Sequence, residues 1–163
     1  MNILLTGAPR IGKTTLIQKV VKNFDSVSGF YTKEILRGGR RIGFKIQDFR
    51  GRKGILAHLD HKSKYRVSKY GVNLKDLEEI ISGIDLSKDL IVIDEIGKME
   101  LFSLRFREFV LKALETRKVL GTILLRANPF CDEIRKRRDT EIIEVTFQNR
   151  EKLVFEVREK LKR

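Results

Sequence analysis

The residues best suited to chemistry form a glycine-rich stretch near the start of the chain, which ends in a lysine and two threonines. The stretch consists of Gly7, Ala8, Pro9, Arg10, Ile11, Gly12, Lys13, Thr14 and Thr15. It fits the pattern G-x-x-x-x-G-K-S/T of a P-loop, in which backbone N–H groups bind phosphates and glycines leave those groups unobstructed. Lys13 can then reach the β- and γ-phosphates of a nucleotide, and the Thr14 hydroxyl can bind Mg²⁺. Residues 7–15 are therefore predicted to bind nucleotide phosphates.

The segments on either side of this loop support that interpretation. The apolar residues 3–5 predict a short buried strand, and apolar residues at helical spacing follow the loop, namely Leu16, Ile17, Val20, Val21 and Phe24. A strand, the loop and a helix in this order are the context that a P-loop requires. The alternative is a turn rich in glycine and proline ahead of an ordinary helix.

Two adjacent acids, Asp94 and Glu95, follow the apolar residues 90–93, a run typical of a strand buried on both faces. Ligands bind outside the carboxyl ends of parallel strands, so these acids and the P-loop are expected at one site. In this Walker B pattern, Asp94 is predicted to hold Mg²⁺ opposite Thr14, and Glu95 to orient or deprotonate a water molecule that attacks the γ-phosphate. The adjacent pair favours hydrolysis over phosphoryl transfer. Two acids that cap a strand-to-helix turn are the alternative.

Basic residues beyond these acids are candidates for stabilising charge on the phosphates. Lys98 is predicted to reach back to the site, with an exposed surface lysine as the alternative. Glu100 is expected to complement the dipole of a helix over about residues 100–116 that buries Leu104. Four later arginines are candidates for completing the site, and the sequence does not choose among Arg126, Arg135, Arg137 and Arg138.

The rest of the chain predicts the scaffold that holds these residues. Alternating apolar residues and glycine-rich turns predict a three-stranded antiparallel meander over about residues 26–60, with Gly38 and Gly39 in a hairpin loop. After a helix capped by Asn73, strands and helices alternate, which predicts a mainly parallel sheet with helices on both faces. The predicted fold is a single α/β domain over residues 1–163 with an inserted antiparallel β-meander.

Composition limits the expected partners and location. The chain has 163 residues, a net charge of +13 and a single cysteine, Cys131, which excludes a disulfide framework and fits the reducing cytoplasm. No apolar run is long enough for a membrane span, so no membrane partner is expected. Residues 32–70, here called the basic insert, carry a net charge of +9. This segment is expected to face phosphate groups, either by binding RNA or DNA or by forming the outer face of the nucleotide site. The alternative is a solvated face whose charges guard exposed strands against pairing.

The chain resembles the small nucleoside-triphosphatases described from thermophiles, a family with the human cancer-related nucleoside-triphosphatase as a relative. The resemblance covers nearly the whole chain, and its most specific segment is residues 94–100. Other matching segments are residues 7–15, 29–32, 41–44 and 149–150. The resemblance implies a RecA-like, three-layer P-loop fold and slow, Mg²⁺-dependent hydrolysis of nucleoside triphosphates, with ATP, GTP, CTP and UTP all accepted. It also implies phosphate binding by residues 7–15 and metal and water handling by Asp94 and Glu95.

Asn149 and Arg150 follow the last predicted strand, where similar P-loop folds place the base of the nucleotide. They are therefore predicted to contact the nucleotide. A helix N-cap followed by a surface arginine is the alternative.

Two other functions remain open beside hydrolysis. The same loop would serve a kinase that phosphorylates a nucleotide, a nucleoside or a polynucleotide end, with the arginine-rich residues 132–138 as a lid. The basic insert would serve a nucleic-acid-binding protein that uses nucleotide as a switch.

Overall fold

The chain forms nine strands and five α-helices in a computed structural model that describes all of residues 1–163. The elements in chain order are β1 (Asn2–Thr6), α1 (Lys13–Val21), β2 (Val27–Arg37), β3 (Arg40–Asp48), β4 (Lys53–His58), β5 (Arg66–Val67), β6 (Tyr70–Val72), α2 (Leu74–Ser82), β7 (Leu90–Ile96), α3 (Leu104–Glu115), β8 (Val119–Ile123), α4 (Pro129–Arg135), β9 (Thr140–Glu144) and α5 (Arg150–Lys162). A 3₁₀ turn, Glu100–Phe102, lies between β7 and α3.

All nine strands belong to one sheet, in the order β5-β6-β4-β3-β2-β7-β8-β1-β9. The neighbours from β2 to β9 pair in parallel, and those from β2 to β5 pair antiparallel. The carboxyl ends of parallel strands meet at one edge, so the loop after β1 and the acids of β7 share that edge. Because β8 lies between β1 and β7, its own carboxyl end lies beside both.

Helices cover both faces of the parallel strands, as the sequence predicts. α1 and α5 pack on one face around Leu16 and Val157, and α2, α3 and α4 pack on the other around Phe106 and Ile134. β1 and β8 are buried along their whole length, which explains their high apolar content. None of the helices is long and apolar enough to cross a lipid bilayer.

The predicted meander is confirmed, and the structure adds to it. Gly38 and Gly39 have φ values of +57° and +78°, which suit a two-residue hairpin loop between β2 and β3. The meander and the parallel strands form one continuous sheet, because residues 27–31 of β2 also pair with β7. β5 and β6 were not predicted, since strands of two and three residues are too short to show alternation.

The predicted helix over residues 100–116 was wrong at its start. The Ser103 hydroxyl accepts a hydrogen bond from the N–H of Phe106 at 3.0 Å, so α3 begins at Leu104 and the preceding residues form the separate 3₁₀ turn. This start leaves Leu104 on the solvent side, with 68% of its surface exposed. Glu100 therefore does not act on the dipole of α3.

An ion pair beside the edge strand β9 predicts a pH-dependent contribution to stability. Arg137 Nε donates to Asp139 Oδ1 at 2.9 Å and Arg137 Nη2 donates to Asp139 Oδ2 at 2.7 Å. These hydrogen bonds hold the pKa of Asp139 below its ordinary value. We expect Asp139→Asn to lower the free energy of unfolding by about 1–2 kcal/mol at about pH 7. The loss should shrink as the pH falls from about 4 through the lowered pKa, because the wild-type carboxyl is then protonated too.

Urea unfolding of both proteins across this pH range measures the effect. Asp25→Asn is the control, because Asp25 is exposed and makes no side-chain hydrogen bond. An equal loss of stability for Asp139→Asn at neutral and acidic pH would contradict the prediction.

Candidate active site

The P-loop has the backbone conformation that its glycines allow. Gly7 and Gly12 have φ values of +147° and +112°. A Cβ on Gly7 would lie 2.8 Å from the carbonyl oxygen of Val145, so the loop and the end of β9 approach too closely for a side chain. The first helical hydrogen bond after the loop runs from the N–H of Leu16 to the oxygen of Gly12 at 2.9 Å. The N–H groups of residues 13–15 thus project from the helix N-terminus, where phosphates bind.

The Lys13 side chain folds back over this loop. Its Nζ donates hydrogen bonds to the carbonyl oxygens of Gly7 at 2.7 Å and Ala8 at 3.3 Å. Burial raises the pKa of Asp94 and Glu95, and the charge of Lys13 partly opposes this rise by favouring their ionised forms. The ammonium group therefore interacts with the P-loop and with the acids of β7.

Asp94 of β7 connects helix α1 and strand β8 through two hydrogen bonds. Thr14 Oγ1 donates to Asp94 Oδ2 at 2.9 Å, and Thr122 Oγ1 of β8 donates to Asp94 Oδ1 at 2.9 Å. Asp94 is only 4% exposed, and this burial raises its pKa, while the two hydroxyls and Lys13 oppose the rise. The structure thus brings Asp94 and Thr14, the two predicted metal ligands, into direct contact.

The oxygen atoms of this pair fit the chemistry of Mg²⁺. The ion prefers hydroxyl, carboxylate, phosphate and water oxygens and usually takes only one or two ligands from the protein. Thr14 and Asp94 supply such a set, and no cluster of three or more His, Cys, Asp or Glu side chains competes for a metal elsewhere. The two residues would therefore hold Mg²⁺ together with the phosphates of a nucleotide.

Glu95 lies next to this pair in a half-buried position. Burial raises its pKa, the charge of Asp94 raises it further, and Lys13 opposes the rise. The peptide bond between Asp94 and Glu95 is cis. A carboxylate with a raised pKa is a better proton acceptor than one in water, which suits the predicted role of a general base.

A cavity of about 280 Å³, here called the Glu95 cavity, opens beside this carboxylate. Lys98 and Arg126 line it together with Glu95, and both basic side chains are exposed. The structure thus places Lys98 on the same cavity as Glu95, and it separates Arg126 from the other three candidate arginines. Arg135 pairs with Asp132, Arg137 pairs with Asp139 and Glu115, and Arg138 is exposed and makes no side-chain hydrogen bond or salt bridge.

A second cavity of about 320 Å³ lies against the P-loop and α5, with Gly12, Thr15 and Arg150 in its lining. Arg150 Nη1 donates to the oxygen of Ile11 at 3.1 Å, so its guanidinium rests on the P-loop. Asn149 is placed differently, because its amide group bonds the backbone of Glu144 and Thr146. The structure therefore brings Arg150 to the loop, whereas the Asn149 side chain holds the turn before α5.

Thr122 and Gly97 were missed by the sequence analysis. Thr122 was detectable in principle, since it is a hydroxyl residue in the otherwise apolar strand β8. Gly97 gave no signal on its own, and its importance rests on the packing of Glu95 against it.

The loop after β1 and the acids of β7 lie at one edge of a mainly parallel sheet, and β8 lies between these two strands. This arrangement defines a RecA-like protein of the P-loop α/β class. Comparison with known proteins narrows this class to one family. The family model described as NTPase matches residues 2–158, and the chain belongs to this family.

Relatives and solved structures agree with that membership. The nucleoside-triphosphatase THEP1 of Thermotoga maritima is 48% identical, with 99% of this chain and 96% of the relative covered. The human cancer-related nucleoside-triphosphatase is 38% identical, with 96% and 94% covered. The crystal structure of THEP1 from Aquifex aeolicus superimposes with a TM-score of 0.88 at 36% identity and covers both chains fully.

Proposed function

We propose that this chain hydrolyses nucleoside triphosphates to nucleoside diphosphate and phosphate, with Mg²⁺ as cofactor. The observation that carries the proposal is the 2.9 Å hydrogen bond from Thr14 to Asp94, which joins the P-loop and the acid strand into one site. The relatives named nucleoside-triphosphatase support the same reaction.

Phosphate binding, metal binding and proton transfer are proposed for different residues of the site. The N–H groups of the P-loop and Lys13 bind the β- and γ-phosphates. When bound between Thr14 and Asp94, Mg²⁺ would neutralise charge on these phosphates. Glu95 accepts a proton from water while the water oxygen bonds the γ-phosphorus and the bond to the β,γ-bridging oxygen breaks. The nucleoside diphosphate leaves with the bridging oxygen, and Glu95 then releases its proton to solvent.

Lys98 and Arg126 are proposed to stabilise the charge that develops on the γ-phosphoryl group. Both line the Glu95 cavity, and neither forms a salt bridge that would hold it elsewhere. Long, mobile cationic side chains at the edge of a site can close on a bound phosphate and add to transition-state stabilisation.

The base is proposed to lie in the cavity beside Arg150. Cationic and aliphatic side chains line this cavity, including Lys19, Arg150 and Val154. Such side chains can cover the face of any base without reading its hydrogen-bonding edge, which supports broad base tolerance. Asn149 would contribute by holding the turn that carries Arg150.

Phosphate release from ATP, GTP, CTP and UTP, with Mg²⁺ and with a chelator, tests the proposed function. The proposal is supported by Mg²⁺-dependent release from all four nucleotides at rates within about tenfold, the size expected when no specific hydrogen bond selects the base. No release above the chelator control would overturn it.

The hydroxyl of Thr122 gives a prediction about Mg²⁺. Removing this donor in Thr122→Val leaves Asp94 less well oriented, because one carboxylate oxygen loses its only hydrogen-bond partner. We expect the Mg²⁺ concentration for half-maximal phosphate release to rise by about tenfold. Thr116→Val is the matched control, since that hydroxyl bonds Ala113 at the end of α3, away from the site. An unchanged Mg²⁺ requirement in Thr122→Val would contradict the proposed metal position.

The kinase alternative is favoured only by the Glu95 cavity, which has room for an acceptor hydroxyl. The arginine-rich segment predicted as a lid does not support it, because Cys131 and Ile134 anchor α4 in the core. Transfer of labelled γ-phosphate to nucleosides, nucleotides or polynucleotide ends would establish a kinase. Release to water alone would leave hydrolysis.

Nucleic-acid binding through the basic insert is a second alternative. Part of its charge is neutralised within the chain, since Arg52 pairs with Asp48 and Arg41 pairs with Glu34. Salt-dependent binding to RNA or DNA that is lost when the unpaired lysines and arginines are replaced would favour this function. In each case we expect the protein to act in the cytoplasm, as its single cysteine suggests.

A further inference from the structure

Glu100 is a buried carboxylic acid that the reaction described above does not use. Only 3% of its surface is exposed, and it has no salt bridge. Burial raises the pKa of Glu100 well above its ordinary value, and the neighbouring charge of Glu95 raises it further. A carboxyl group without a cation is a costly way to fill a core position that an apolar side chain would fill more favourably. A role beyond packing is therefore expected.

The contact that Glu100 makes points to this role. Its Oε2 accepts a hydrogen bond from the N–H of Gly97 at 3.2 Å. This bond closes the turn between β7 and the 3₁₀ turn and fixes the backbone directly after the two acids of the site.

Gly97 in turn provides the surface on which Glu95 lies. A Cβ on Gly97 would be 2.9 Å from Cγ and Cδ of Glu95 and 3.1 Å from its Oε1. The Glu95 side chain thus occupies the space that any residue larger than glycine would fill. A displaced Gly97, or one with a side chain, would push the Glu95 carboxylate out of its place.

We propose that Glu100 is a positioning residue, which holds Gly97 so that Glu95 is oriented toward the attacking water. The proposal rests on the proposed role of Glu95 as the general base. Glu100 lines the Glu95 cavity as well, and the contact through which it acts on Glu95 is the hydrogen bond from the Gly97 backbone.

Three variants test this arrangement. Glu100→Leu removes the acceptor, Gly97→Ala removes the space, and Glu100→Gln keeps an oxygen that can accept the Gly97 hydrogen bond. We expect the first two to lower kcat by about tenfold or more and to leave the Kd for nucleotide within about threefold, since small misplacements of a catalytic group cost this much. Glu100→Gln should recover most of the lost kcat. Glu108→Leu on the exposed side of α3 is the control for an added leucine.

The same changes are then made in a Glu95→Gln background. If Glu100 and Gly97 act only through Glu95, they cause no further loss of kcat there, whereas a general loss of structure would lower activity again. Gly97→Ala, which keeps the core side chains, covers the case in which Glu100→Leu does not fold.

The outcomes separate this inference from the proposed function. An active Glu95→Gln overturns the role of Glu95 and the positioning role with it. An inactive Glu95→Gln with full kcat in both Glu100→Leu and Gly97→Ala overturns the positioning role alone. Weaker nucleotide binding with unchanged kcat would also overturn it.

Discussion

Lys13→Ala is expected to lower kcat/KM for ATP by about a hundredfold to a thousandfold, a loss typical of removing one charged group that stabilises a transition state. Lys13 is the ammonium group that the P-loop carbonyl oxygens hold in place, with the shorter contact of 2.7 Å to Gly7. Its charge also favours ionised Asp94 and Glu95. Its loss therefore removes a phosphate ligand and leaves two neighbouring carboxylates with less compensation.

Phosphate release and equilibrium nucleotide binding measure this effect, and both are expected to weaken. Lys22→Ala is the matched control, because Lys22 follows α1 in an exposed position and makes no side-chain hydrogen bond. Activity of Lys13→Ala equal to that of Lys22→Ala would show that nucleotide phosphates do not bind in the P-loop.

Glu95→Gln is expected to lower kcat by at least about a hundredfold while nucleotide binding is retained, because general-base catalysis contributes about 10²–10⁴. The amide matches the carboxylate in size but does not accept a proton from water. Glu95 lies beside Asp94 and has a raised pKa, whereas phosphate binding is proposed for the N–H groups of the P-loop and for Lys13. A large loss of kcat with unchanged nucleotide binding is therefore the result that distinguishes a general base from a binding residue.

Glu79→Gln on the exposed side of α2 is the control for loss of one negative charge. Binding that falls in parallel with kcat in Glu95→Gln would assign Glu95 to phosphate or metal binding. Unchanged kcat would require another general base.

The sequence predicted those parts of the site that local pattern determines. The P-loop is recognised by glycines at fixed spacing, and Asp94 is recognised because it ends an apolar run that is buried on both faces. Each pattern therefore indicates a position at the carboxyl end of a strand. The hairpin at Gly38 and Gly39 and the helix cap at Asn73 were predicted for the same reason. Their side chains or φ values act on neighbours close in sequence.

Contacts between distant segments were not predictable in this way. Thr122 reaches Asp94 only because β8 lies beside β7 in the sheet, and no local pattern states that order. Glu100 was expected at the start of a helix, but the Ser103 cap moved that start and left Glu100 in the core. The choice of Arg126 over three other arginines likewise depends on which loop faces the Glu95 cavity.

The most direct test of the central claim follows the oxygen of the attacking water. The protein is incubated with ATP and Mg²⁺ in water labelled with heavy oxygen, and the products are analysed by mass spectrometry. Attack of water on the γ-phosphorus predicts labelled inorganic phosphate and unlabelled ADP. Label in the ADP, or unlabelled phosphate, would contradict the proposed reaction at this site.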